Sequence, residues 1–576
     1  MKKTGAYLLT YALEQIGVEY TFGIPGVHNT EIYDELNNSK KIQPILVTHE
    51  GWGAFMADAI SRTTNSIGTL VIVPAAGTAL SLSGIGEAFL DGIPMLIVSG
   101  GIRRDLDKSF QLHQIDQSKI VSGVVKKYFL IEKHQDIIPS VYEAYKIAIS
   151  DKPGPVFLEI PVNIQLFEGE VSDLPTWPSN FDPNLLSENV YQKIKEAIEY
   201  IEGSLKIGIF VGWGAIHASK EVVELAEKLS SPVCTTLQGL SAFPYSHPLH
   251  TGMGYGVYSV PAAEEAFKDI ELLIAIGTSF SEIPTGSFGM KVPEKLIHID
   301  IDPNVFNKNY KATVAIQGDS KKVLQIINQN LKVKKNLDTK LLNLIKSKKE
   351  EYLREWKDFK TDKVNPALFF ESLRNQLQED SYIITDDGNH TFLTVELMPI
   401  YKPRTFLSPS DFNCMGYAIP AAIGVKLTHM DKDVVAIVGD GAFLMSGFEL
   451  LTASTLNLGV VVFIFHDGEL SQISQGQEIP YNRKTSTILG DIQPEGIAKA
   501  TNSYFLEIHH NKEIESKIRE ALEKSKKGKP VLVDVKIDYS KRTRFTKGVV
   551  KVNLKRFPLR EKIRFISRAL VRRITG

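Results

Sequence analysis

The chain has two cysteines, Cys234 and Cys414, among its 576 residues. Two are too few for a disulfide framework, and they fit a reducing compartment. No run reaches 18 apolar residues, which leaves no candidate for a bilayer-spanning helix. Met1-Lys2-Lys3 leads into no signal-peptide core, so the chain reads as cytoplasmic. Nor does charge of one sign prevail. With 66 Lys/Arg against 67 Asp/Glu, a net charge of -1 and a pI near 6.9, the chain as a whole lacks the basic field of a nucleic-acid partner. The even total hides one local excess: residues 541–576 hold thirteen Lys/Arg and one Glu, leaving 53 basic against 66 acidic side chains elsewhere.

What is present is an ordinary globular composition, 43% hydrophobic and 23% charged, on a chain too long for one core. Short apolar runs such as TLVIV, MLIVSG, KIGIFV, LLIAIG, VVAIV and VVVFIF alternate with helical patterns. That alternation predicts an α/β fold of three doubly wound parallel-sheet domains. The expected division is 1–168, 186–330 and 364–540, with QLFEGEVSDLPTWPSNFDPN as a linker, 331–363 as a helical connector and 541–576 as a basic amphipathic tail. The segment GAFMADAISRTT…TLVIVPAAG…EAFLDGIPMLIVSGG has the same order of elements as MGYAIPAAIG…VVAIVGDG…LTASTLNLGVVVFIFHDG. Such a long repeat indicates duplication, and two related domains invite a site between them.

Gly439-Asp440-Gly441 falls where a strand's carboxyl end meets a helix, and Asp467 ends the next strand 27 positions later. Open α/β sheets bind ligands at such ends, and glycine lets backbone N–H groups approach an anion. An aspartate there suits a Mg²⁺ or Ca²⁺ ion that holds a diphosphate, because hard cations take one or two carboxylates plus phosphate oxygens. In isolation Gly-Asp-Gly is equally a strand-to-helix turn with an N-cap aspartate.

The wider series of motifs resembles the thiamine-diphosphate-dependent enzymes of the acetolactate synthase, pyruvate oxidase and 2-oxo acid decarboxylase group. IPG at 24–26, VTHE ending at Glu50, PAAGTALSLSGIGEAF, KPGPVFLEIPVNI, FPYSHPLHTGM, LIHIDIDP, DDGNH, NCMGYAIPAAIG and the GDG motif occur in that group's order. The resemblance implies that Glu50 hydrogen-bonds the cofactor's aminopyrimidine and that Met415 props its bent form. It implies diphosphate contacts from Asn389, His390, Gly439, Gly441 and Ala442, with Gly77 and Asn413 also facing the cofactor. Asp440, Asp467 and the backbone carbonyl of Glu469 would complete the metal shell. Asp467 replaces the group's usual asparagine, keeping an oxygen ligand and adding a charge. A homodimer or homotetramer is implied, because members of the group bind the cofactor between subunits.

The pocket departs from the acetolactate synthase pattern more than the frame does. Leu112-His113-Gln114-Ile115-Asp116 stands where Phe-Gln-Glu-x-Asp is usual, Gly476 replaces a tryptophan, and Lys126 matches a lysine of the substrate channel. His28 falls where some decarboxylases and carboligases carry a proton-transferring histidine, and a histidine titrates near neutrality. His28, His113, Gln114 and Glu50 are therefore the candidate catalytic residues. Ser279, Ser281 and Ile283 occupy a segment that normally carries Arg and Asp, and lost arginines remove contacts to a dinucleotide phosphate. FAD is accordingly not expected, although LIHIDIDP keeps a nucleotide-type frame.

Together these point to a metal- and thiamine-diphosphate-dependent enzyme acting on a 2-oxo acid, most like acetolactate synthase, with decarboxylation followed by carboligation. The alternatives are a simple 2-oxo acid decarboxylase or C–C lyase with His28 as proton donor, and a non-catalytic membrane-associated or regulatory homologue. The tail gives that last reading its support, since Ile563, Ile566, Leu570 and Ile574 share a helical face flanked by arginines. Such a helix suits weak contact with an anionic membrane or docking on the protein's own body.

Overall fold

A computed structural model describes residues 1–178 and 181–575. Three six-stranded sheets carry the chain, each parallel throughout. The first contains Gly68–Ile72 and Met95–Gly101 at its centre, with Tyr20–Gly23 and Pro155–Pro161 flanking them. The third centres on Val434–Gly439 and Val461–Phe465. Counting strands in chain order within each sheet, both run 2-1-3-4-6-5 across the sheet. The repeat visible in the sequence is thus a repeat of topology. The middle sheet, with Ile207–Val211 and Leu272–Ile276 at its centre, runs 3-2-1-4-5-6, the order of dinucleotide-binding sheets. Central strands are buried along their whole length but for Gly439, the last residue of Val434–Gly439, which is why they read as unbroken apolar runs rather than alternating ones.

The first and third units meet through helix Glu50–Thr63, which packs on Ala76–Asp91 and on Ala418–Thr428. Small residues allow the approach. A Cβ on Gly84 would lie 2.3 Å from the Ala54 Cβ, and one on Gly424 would lie 2.8 Å from the Met56 carbonyl oxygen. A buried ion network crosses this seam: Arg62 Nε meets Asp58 Oδ2 and Arg62 Nη2 meets Asp91 Oδ2, each at 2.7 Å, while Tyr417 Oη donates to Asp58 Oδ2.

Three expectations change. The linker does not begin at Gln165, which is buried; Glu168–Glu170 pairs antiparallel with Lys2–Thr4, a short polar edge strand that leaves no apolar signature. The tail is two helices, Arg544–Arg556 and Leu559–Thr575. The first is part of the body: Phe545 stacks on Phe392 with ring centroids 4.2 Å apart, and Tyr258 leaves no room for a Cβ on Gly548. Lys126 does not face a channel. Its ammonium donates to the carbonyls of Ile147 and Ser150 and so closes the carboxyl end of helix His134–Ile149.

Candidate active site

Strand Val434–Gly439 ends against helix Asp440–Ser446, and the neighbouring strand Val461–Phe465 runs out into His466, Asp467 and Gly468. Asp440 ties the two ends together. Its Oδ1 accepts from Gly441 N at 2.9 Å, while Oδ2 accepts from Gly468 N at 2.7 Å and Asp467 N at 3.2 Å. Burial raises its pKa against these donors and against His466, whose Nδ1 meets Asp534 at 3.0 Å. Asp467 is also raised, to about 6, by burial and by the charges of Asp440 and Glu469; Ser471 Oγ bonds its Oδ2 and opposes the shift.

A cavity of about 90 Å³ opens beside these ends. Asn389, His390, Met415, Gly439, Asp440, Gly441, Ala442, Asp467 and Glu469 all border it. The sequence-predicted diphosphate and metal residues are therefore gathered at one place. The two others expected to face the cofactor do not border it: Gly77 lies beside Glu50, and Asn413, held at φ 63°, turns its side chain to Asp387. The Glu469 carboxylate is engaged elsewhere, by Lys484 Nζ at 2.6 Å and by Ser474, so any contribution to a metal would come from its backbone. Among the described residues no cluster of three or more His, Cys, Asp or Glu side chains is arranged to hold an ion.

Two observations test whether a metal-bound diphosphate fits. His390 is buried, with its pKa pushed down to about 3 by burial, and its Nε2 has no hydrogen-bond partner. A neutral imidazole with an unpaired nitrogen beside the cavity wants a polar ligand atom. Gly441 is the second: a Cβ there would lie 2.4 Å from Leu470 Cδ2 and 3.3 Å from Met415 Cε, so glycine leaves room at the cradle that a side chain would take from Leu470. The residues present fit the group.

Glu50 lies elsewhere in the subunit. It is 6% exposed at the start of helix Glu50–Thr63, and a Cβ on Gly77 would come within 3.3 Å of its Oε1; it does not border the 90 Å³ cavity. Behind it, Thr78 Oγ1 donates to Gln117 Oε1 at 2.6 Å, and Gln117 Nε2 donates to Glu159 Oε2 at 2.6 Å. His28 and His113 do come together, with ring centroids 5.0 Å apart and both Nδ1 atoms buried and unpaired. Burial, then the His113 charge, lowers the His28 pKa. Gln114 is exposed, and its side-chain oxygen accepts from Gln111 N; Gln117, which the sequence reading passed over, is the buried glutamine of this region.

Two further buried carboxyls escaped the sequence reading. Asp386 accepts from Gly416 N and Ala418 N, both at 2.8 Å, with burial raising its pKa to about 7. Glu87 accepts from Ser410 N at 3.0 Å and Cys414 N at 3.1 Å. Together they fix the loop that presents Met415. No spacing rule announces them, because each acts on backbone far away in the chain.

A second, larger cavity of about 270 Å³ lies at the carboxyl ends of the middle sheet's strands. Asp91, Asp300, Asp302, Asp319 and Asp411 border it against Lys152 and His217, and burial raises Asp300 and Asp411 to about 6.

Family comparisons agree with this layout. Thiamine pyrophosphate enzyme models match in three parts: the N-terminal TPP binding domain over residues 3–120, the central domain over 194–327 and the C-terminal TPP binding domain over 386–535. Among curated relatives, the acetolactate synthase large subunit of Buchnera aphidicola subsp. Acyrthosiphon pisum is 32% identical over 552 residues, covering 93% of this chain and 95% of its own. The probable acetolactate synthase large subunit of Methanocaldococcus jannaschii is 33% identical over 551 residues, covering 93% and 92%. The acetolactate synthase isozyme 3 large subunit of Escherichia coli is 30% identical over 555 residues, covering 93% and 95%.

Proposed function

The chain belongs to the thiamine pyrophosphate enzymes, and from that premise we propose that it decarboxylates a 2-oxo acid and ligates the remainder to a second carbonyl compound, as an acetolactate synthase does. The gathering of Asp440, Asp467, His390 and Met415 around one cavity carries this reading. Thiamine diphosphate, when bound, supplies the nucleophilic carbon and the electron sink that decarboxylation requires. Asp440 and Asp467 would hold Mg²⁺ with the carbonyl of Glu469, and His390, Asn389 and the amides of Gly441 and Ala442 would hold the diphosphate. Met415 would brace the cofactor, and Glu50, beside Gly77, would hold the aminopyrimidine by its carboxyl.

Because Glu50 stands apart from the diphosphate cavity of its own subunit, the reading includes a homodimer, or a tetramer of such dimers, in which one copy's Glu50 serves its partner's cavity. Leu80, Leu444, Met445, Phe448 and Leu451 are 46%, 47%, 51%, 61% and 46% exposed, an apolar surface of the kind a second copy covers. FAD has no part in this reading: Ser279 and Ser281, which border the larger cavity, offer no guanidinium to a dinucleotide phosphate. The free cysteines suit a cytoplasmic setting.

The His28 and His113 pair favours a second reading, in which a proton rather than a second carbonyl compound ends the reaction and the enzyme is a decarboxylase. Product analysis by NMR after incubation with pyruvate, and with larger 2-oxo acids, at saturating thiamine diphosphate and Mg²⁺ separates the two. Acetolactate or its homologues support ligation, and free aldehyde supports decarboxylation alone. No CO₂ from any 2-oxo acid would leave a non-catalytic homologue as the answer.

A further inference from the structure

The match to the C-terminal TPP binding domain ends at residue 535, ahead of the tail. Its last helix, Leu559–Thr575, carries six Lys/Arg and one Glu and is fastened to the body by its polar side. The guanidinium groups of Arg568 and Arg572 lie over the Tyr481 ring at 5.2 and 5.3 Å, and Asn482 Nδ2 donates to the Arg572 carbonyl at 3.2 Å. The consequence is an inverted arrangement. Ile563, Ile566, Leu570 and Ile574 point outward, 56%, 47%, 54% and 83% exposed, and Leu559 extends the row at 72%.

At 3.6 residues per turn these five positions fall in a stripe about 80° wide along a helix of about 25 Å. Basic side chains border the stripe on both sides, Arg560 on one and Lys562 and Arg573 on the other. Arg573 also converges with Arg483, Lys484 and Arg542 around one recess, where Glu478 is the single acid among the described residues. An apolar ridge between two basic margins matches a bilayer whose acyl boundary lies below anionic headgroups. Facing a second copy of the same helix would instead bring like charges together.

We propose that helix Leu559–Thr575 is a peripheral membrane anchor, laying its exposed apolar stripe on an anionic lipid surface while Arg568 and Arg572 hold it to the enzyme body. The anchor neither spans the bilayer nor depends on turnover, so its test is independent of the proposed reaction.

The test is co-sedimentation of the full-length protein with vesicles of equal parts phosphatidylglycerol and phosphatidylcholine, and with vesicles of phosphatidylcholine alone. Binding to the anionic vesicles should exceed binding to the neutral ones by about tenfold and fall as salt is added. The double substitution Ile566→Glu and Leu570→Glu places charge on an already exposed stripe, and should lower binding at least about tenfold with the circular dichroism spectrum and the light-scattering mass unchanged. Equal binding to both vesicles, or undiminished binding by the double variant, overturns the proposal. So does a wild-type protein that ignores vesicles while the double variant drops to a smaller oligomer, because the stripe then covers a second copy.

Discussion

His28 and His113 face each other with ring centroids 5.0 Å apart and neither Nδ1 satisfied. Burial and the neighbouring His113 charge both lower the His28 pKa, so the neutral form of His28 is favoured over that of an ordinary histidine. If His28 donates a proton in turnover, the rate must fall as pH rises through its pKa. His113→Ala removes a like charge and admits water, and both effects raise that pKa. The falling limb of the kcat profile is therefore expected to move to higher pH in His113→Ala. His28→Ala should cut kcat at least roughly tenfold with thiamine diphosphate affinity unchanged. A His113→Ala profile that coincides with wild type would assign the pair to packing alone.

The two aspartates at the strand ends are expected to respond unequally to amide substitution. Asp440 accepts backbone N–H groups on both oxygens, from Gly441 on one side and from Asp467 and Gly468 on the other. An asparagine can offer an oxygen to only one side and turns its NH₂ against a donor on the other, at a cost of about 1–3 kcal/mol. Asp467 accepts from Ser471 Oγ and the Glu469 amide, one donor fewer than Asp440. Calorimetric Mg²⁺ titration with thiamine diphosphate present should show Asp440→Asn weaker by more than about tenfold. Asp467→Asn keeps an oxygen and should lose less than about tenfold. Equal losses would mean that both aspartates serve the metal alone.

The strand ends were legible in the sequence because parallel strands buried on both faces leave unbroken apolar runs, and the acid after each run stands out. Asp440, Asp467, His390 and Met415 could be named on that basis together with motif order, and they border one cavity. The substrate side was less legible. Gln114 was chosen by its alignment to an acidic position, yet the loop exposes it and buries Gln117 instead. The tail's apolar period was visible, but which face the body would take was not; two arginines stacking on Tyr481 decided that. Side chains that bind distant backbone have no period at all.

Arg62 illustrates such an unseen contact. It is 1% exposed, and its guanidinium joins Asp58 on its own helix to Asp91 on the next. Removing it strands two carboxylates in the seam between the first and third units. Arg62→Met is expected to cost about 3–5 kcal/mol, seen as an earlier midpoint in the urea transition of that seam. Arg62→Lys should recover less than half of the loss, since one ammonium cannot reproduce a fork that reaches both carboxylates. Full recovery by lysine would mean that charge, not geometry, holds the seam.

Glu87 reaches across more than 300 positions to Ser410 N and Cys414 N, and so sets where Met415 stands without bordering the cavity itself. In Glu87→Gln one of the two amide donors faces an NH₂ group, which should loosen the 410–415 loop at a cost of about 1–3 kcal/mol. As a positioning change it should raise the thiamine diphosphate requirement by roughly tenfold while kcat at saturating cofactor stays within about twofold. Stability offers a second readout. Burial, then Asp91, raises the Glu87 pKa well above 4.5, and a carboxyl raised on folding contributes stability that is present at low pH and lost as pH rises above its unfolded value. Wild type should therefore lose stability on going from pH 4.5 upward more steeply than Glu87→Gln, which has no proton to release. Parallel melting-temperature curves, together with an unchanged cofactor requirement, would show that Met415 is held by Asp386 and the loop's own packing instead.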